Sequence, residues 1–137
     1  MLLPFTTVAL LVTVSSVEGS ETPLDEKETF ETLNSMYTDG LVWSDDLAEK
    51  ALDWLKSPQH RASIKADMIV KGKGLIADAN NKAVWQKILE VLEVHFDENG
   101  AGLESLPSGT LYGCNGYMST RSTNDDYVFA VCLYKRQ

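Results

Sequence analysis

Apolar positions return every three or four residues in the helical parts of this chain and every two in its last quarter, and that contrast lays out the elements. From Asp25 to Tyr37, Phe30, Leu33, Asn34 and Tyr37 fall on one helical face. Acidic residues early in the run complement a helix dipole, and Thr38-Asp39-Gly40 ends it. Ser44 then reads as an N-cap, with Asp45 and Asp46 in the first turn. Leu47, Ala48, Ala51, Leu52 and Leu55 follow at helical spacing, and Ser57-Pro58 stops them. A third helix is expected after an Asn80 or Asn81 cap, with Val84, Trp85, Ile88, Leu89, Leu92 and Phe96 as its stripe and Gly100 as terminator. Residues 58–80 have no dominant period. Ile64, Met68, Ile69 and Val70 end a short helix or begin a strand, and Lys71-Gly72-Lys73-Gly74 reads as loop or frayed edge. Residues 101–109, with Pro107, read as loop.

The stretch Leu111 to Lys135 alternates with period two around a polar turn, Ser119 to Asp126, which is the pattern of a β-hairpin with a longer loop. Its second arm is apolar on both faces: Tyr127, Phe129, Val131 and Leu133 on one, Val128, Ala130, Cys132 and Tyr134 on the other. A strand apolar on both faces is normally covered on both. The expected fold is therefore α+β, a small antiparallel sheet whose C-terminal hairpin is packed between helices. Cys114 and Cys132 lie symmetrically about Thr123, so the hairpin places them opposite each other, within reach of a disulfide if they share a face.

The amino end changes the picture of where this happens. Leu2 to Val14 is apolar apart from Thr and Pro, and Val17-Glu18-Gly19 offers a signal-peptidase site. Residues 1–19 are expected to be a signal peptide and residues 20–137 a single domain. In an exported chain two cysteines are expected to pair, the alternative being two buried free thiols. Their loop encloses 17 residues, and closing it contributes ~3 kcal/mol. The formal charge is −8, and losing Glu18 with the leader changes it to −7. An acidic chain with no basic stripe disfavours nucleic acid and anionic membranes. A soluble monomer is expected, with no membrane attachment after cleavage.

Candidate chemistry is sparse. His60 and His95 are the histidines, and they would need Glu90 or Glu98 across a cleft as acidic complements. Metal binding needs several converging ligands, and nothing in this spacing demands convergence, so no metal and no cofactor are expected. There is no Gly-x-Ser-x-Gly, and Lys71-Gly72-Lys73-Gly74 lacks the Ser/Thr of a phosphate loop. The polar turn, with Arg121, Asn124, Asp125 and Asp126, is equally a recognition loop or solvated padding. Trp43, Trp54, Trp85 and Tyr117 read as core or sheet packing. No Asn-x-Ser/Thr sequon occurs.

The run Leu41 to Leu55, LVWSDDLAEKALDWL, resembles the early helix of CAP-superfamily secreted proteins, the venom-allergen-like and sperm-coating group with many nematode members. Trp43, Asp45, Asp46, Leu47, Ala48, Ala51 and Trp54 carry the likeness, as do Gly113-Cys114 and Val131-Cys132-Leu133-Tyr134. The resemblance implies an α-β-α sandwich. It also implies a cleft of two His and two Glu, from which this shortened chain departs. His60 is two residues too close to the helix, no Gly-Glu-Asn follows, and no histidine lies between Gly100 and Gly113. The implied function is a secreted, non-enzymatic binding or effector protein acting on an extracellular protein or small apolar ligand. The alternatives are a hydrolase or metal-dependent enzyme on a residual cleft with His60, His95 and Glu90, and an inhibitor of extracellular proteases.

Overall fold

A computed structural model describes residues 21–120 and 124–137. The leader expected at 1–19 and residue Arg121 of the hairpin turn lie outside the described residues. The chain runs through β1 (Glu21–Pro23), α1 (Lys27–Ser35), β2 (Val42–Trp43), α2 (Asp45–Lys56), a 3-10 turn (Pro58–Ser63), β3 (Met68–Ile76), a second 3-10 turn (Ala79–Asn81), α3 (Val84–Glu98), α4 (Gly100–Glu104), β4 (Leu111–Thr120) and β5 (Asp126–Lys135). The sheet has the order β1-β4-β5-β3 and is antiparallel, except that the two-residue β2 runs parallel beside β4.

Strand β5 lies between β4 and β3, and its two apolar faces meet two separate cores. Val128, Ala130, Cys132 and Tyr134 pack with Phe30 and Leu33 of α1 and with Ile88, Leu92 and Phe96 of α3. Val131 and Leu133 pack with Leu47, Ala51 and Trp54 of α2. The alternation read in the sequence thus sorts the helices to opposite sides of the sheet. Cys114 and Cys132 are register partners joined in a disulfide, their Cα atoms 4.0 Å apart. Beside the bridge the buried Asn34 donates from Nδ2 to the Phe30 carbonyl and accepts at Oδ1 from the Tyr134 hydroxyl, so no polar group is left unpaired there.

Helices α1 and α2 lie where the periodicity put them, and Ser44 Oγ caps α2 by accepting from Leu47 N at 3.2 Å. Three expectations are corrected. Lys71-Gly72-Lys73-Gly74 is the middle of β3, not loop. Its glycines face α3, where a Cβ on Gly72 would lie 1.9 Å from the Val91 carbonyl oxygen, and its lysines face the other side. Close helix approach, not turn formation, is what those glycines serve. Helix α3 begins after Ala83, whose N–H donates to Gln86 Oε1 at 2.7 Å. Asn80 and Asn81 belong to the preceding 3-10 turn, tied to the hairpin by Ala79 N donating to the Asn124 carbonyl. The buried stripe of α3 accordingly runs through Lys87, Ile88, Val91, Leu92 and Phe96, and Trp85 is 49 % exposed. The loop expected over 101–109 contains α4, which buries Leu103.

A cationic and aromatic hollow at the end of helix α2

Helix α2 covers only part of its sheet face. It sits down at Gly113, where an added Cβ would fall 2.2 Å from Ala48 N, and it ends at Lys56. Beyond that end the sheet continues with Tyr117, Phe129 and Lys73 side by side on three adjacent strands. Tyr117 and Phe129 stack at 4.8 Å between ring centroids, and Tyr127 extends the row at 5.0 Å from Phe129. The 3-10 turn after α2 closes the side of this area with Arg61. Together these elements border an open hollow of about 340 Å³ that reaches round the edge strand β3 to Gly72 and His95 on its α3 side and is lined by Trp54, Leu55, Arg61, Lys71, Gly72, Lys73, His95, Tyr117 and Phe129.

The charges around the hollow are held in place by rings. The Arg61 guanidinium lies 3.9 Å from the Trp54 ring centroid, and its Nε donates to the Trp54 carbonyl at 2.7 Å. That bond also satisfies a carbonyl of the last turn of α2, where a cation is favoured. Lys71 Nζ stands 5.3 Å from the same indole and Lys56 Nζ 5.0 Å from the Tyr117 ring, both within cation–π range. Lys56 is partly neutralised by Glu21 at 3.3 Å. Among the described residues, Arg61, Lys71 and Lys73 have no carboxylate within 4.0 Å. In a chain of formal charge −8 this is a local reversal of sign over an aromatic floor.

The residues singled out from the sequence are dispersed. His60 Nδ1 pairs with Asp53 at 3.0 Å on an exposed surface and does not line the hollow. His95 lines it from α3 and pairs with Glu98 at 3.2 Å. Glu90 pairs with Lys82 at 3.0 Å. Among the described residues no three His, Cys, Asp or Glu converge as metal ligands. In the hairpin turn, Asn124 accepts from Asn80 Nδ2, and Asp126 accepts from the largely buried Lys87 at 2.9 Å, so both fasten the turn to the body. Asp125 is half-buried. Trp54, expected as core, is buried in the α2 core and also borders the hollow. Tyr117, expected as core or sheet packing, stacks on Phe129. Lys71 and Lys73, expected as loop, lie on β3. The available signal was the Lys-Gly-Lys-Gly alternation itself, since period two with small residues on one side is a strand beneath a close helix.

An α+β domain with a two-sided sheet, an internal disulfide and one basic hollow on an acidic body is the class these features define. The family described as 15 kDa excretory/secretory protein matches residues 29–136, and the chain belongs to it. It is 32 % identical over 108 residues to a 15 kDa excretory/secretory protein of Haemonchus contortus, covering 77 % of this chain and 73 % of that one. It is 27 % identical over 107 residues to a 30 kDa antigenic glycoprotein of Trichostrongylus colubriformis, covering 78 % and 76 %. The protein is secreted. Membership in this family overturns the resemblance to the CAP superfamily. The residues that carried it answer to packing needs that many folds share. Trp43 Nε1 donates to Asp45, Ser44 caps, and a small residue at Ala48 lets α2 rest on Gly113. Val131-Cys132-Leu133-Tyr134 is what a strand buried on both faces requires.

Proposed function

We propose that this secreted protein is a non-enzymatic binding protein whose recognition surface is the hollow at the end of α2, and that its ligand carries negative charge beside apolar surface. The observation that carries this reading is the set of cations without carboxylate partners, Arg61, Lys71 and Lys73, arranged over Trp54, Tyr117 and Phe129. Lysines on an edge strand also discourage pairing with another sheet. That role places no demand on Arg61 or on the three rings, which here border a hollow. The histidines offer less support for catalysis, because His60, His95 and Glu90 each engage a different neighbour.

The test is retention from the extracellular fluid into which the protein is released. Immobilised wild type is compared with a Lys71→Glu/Lys73→Glu variant of unchanged thermal stability. The wild type is expected to hold species that the variant loses and that elute at roughly 0.5 M salt, where exposed charges are screened within a few ångströms. Equal retention by both would place recognition elsewhere, and chemical alteration of a retained species would restore the enzymatic alternative.

A further inference from the structure

Resting on that reading, we infer that the hollow takes a small organic carboxylate with a short apolar body, clamped by Arg61. Arg61 is set up for this role before any ligand arrives. Its Nε is occupied by the Trp54 carbonyl at 2.7 Å and its guanidinium carbon is held 3.9 Å from the indole centroid, which leaves the two terminal amino groups free to form a forked pair with a carboxylate. A side chain fixed in this way loses little freedom on binding, so more of the interaction appears as affinity. Lys73 adds a second positive charge from the sheet beside the Phe129 ring.

Size decides between a small molecule and a long lipid. Ligand sites span roughly 300–1,000 Å³, and this one, at about 340 Å³, is at the small end. A heavy atom with its hydrogens occupies about the volume of one water, ~30 Å³, so the hollow accommodates about eleven. A straight carboxylate of roughly eight carbons, or a single-ring aryl carboxylate, meets that limit. Leu55, Phe129 and Tyr117 supply the apolar wall for its body. A chain twice that length exceeds the volume of the hollow.

The experiment titrates the secreted protein, disulfide intact, with octanoate and follows tryptophan fluorescence and heat. Octanamide, which has the same shape without the charge, and palmitate below its aggregation limit are run in parallel. Saturable one-to-one octanoate binding is expected, at least tenfold tighter than octanamide, with palmitate gaining no further tenfold. Arg61→Ala is expected to weaken octanoate at least tenfold and Arg61→Lys less. Because Arg61 also caps α2, Lys73→Gln, at an exposed position, is the second variant, with a loss of about threefold. Three results would each overturn the inference: no saturation below about 5 mM, octanamide binding equal to octanoate, or Arg61→Ala and Lys73→Gln both binding as wild type. A failed titration alongside charge-dependent retention from extracellular fluid would leave the hollow as a binding surface and remove only the small carboxylate.

Discussion

At the scale of single residues, glycines show most directly how a neighbour sets the meaning of a side chain. Gly72 and Gly74 lie two apart on the same face of β3 and are identical as letters. An added methyl at Gly72 meets the Val91 carbonyl at 1.9 Å, while at Gly74 the nearest atom is Val91 Cγ1 at 3.5 Å, an ordinary contact. Gly72→Ala is therefore expected to lower stability by about 3 kcal/mol in urea unfolding, because the α3 backbone has to move. Gly74→Ala is expected to change it by no more than ~0.5 kcal/mol in either direction. Equal effects would mean that α3 does not rest on Gly72. The same reasoning applies to Arg61. In the sequence it stood in a polar run after a proline; in the fold it is bonded to the end of α2 and lies over the Trp54 ring.

Among the elements, the hairpin and α2 were legible because their signals are local. A period of two across a polar turn placed Cys114 opposite Cys132, and Ser44 with two aspartates marked the start of α2. Strand β3 was harder to read, because two of its inward positions, Gly72 and Gly74, carry no apolar side chain while Ile69 and Leu75 put apolar ones on the exposed side, which leaves the Lys-Gly-Lys-Gly alternation as the remaining signal. The start of α3 was missed for a related reason: Asn80 and Asn81 are good caps, but Asn124 from the hairpin draws their turn away from the helix. The disulfide spans 18 positions and joins two strands already paired along their full length. Reduction, or a Cys114→Ala/Cys132→Ala variant, is expected to leave the far-ultraviolet circular dichroism spectrum intact and to lower unfolding free energy by about 3 kcal/mol. Loss of strand signal on reduction under native conditions would show that the bridge, not the two cores, holds the hairpin.

For the whole molecule, the core between the sheet and helices α1 and α3 sets the response to high pH. Three tyrosines are held protonated. Tyr37 is pushed up to about 12, first by its hydrogen bond to the Asp97 carboxylate. Tyr112 is pushed up to about 12, first by burial and then by Glu31. Tyr134 is pushed up by burial beside the disulfide. A folded-state pKa above the unfolded value of ~10 means that the folded form holds its proton more tightly. The stability this confers is complete below pH 10 and is lost as pH rises through 12. Absorbance at 295 nm is expected to show less tyrosinate in the folded protein at pH 10.5 than in urea at the same pH, and thermal stability is expected to drop between pH 10 and 12. A folded protein that ionises like the urea-unfolded chain would contradict the buried positions of Tyr112 and Tyr134.

By itself the sequence determined an acidic α+β chain, the helices α1 and α2 with the Ser44 cap of α2, a strand with two apolar faces and a cysteine pair facing across a hairpin. These follow from periodicity, capping and turn chemistry, which act over a few residues. It suggested the wrong family for the same reason, since a capped helix resting on a glycine strand looks alike in unrelated proteins. Only the tertiary structure decided that Lys71 and Lys73 belong to a strand, that the core residue Trp54 also turns an edge to a hollow walled by the half-buried Tyr117, and that Arg61 sits among them. Those residues come from α2, a 3-10 turn, β3 and β4, and what brings them together is where α2 ends on the sheet.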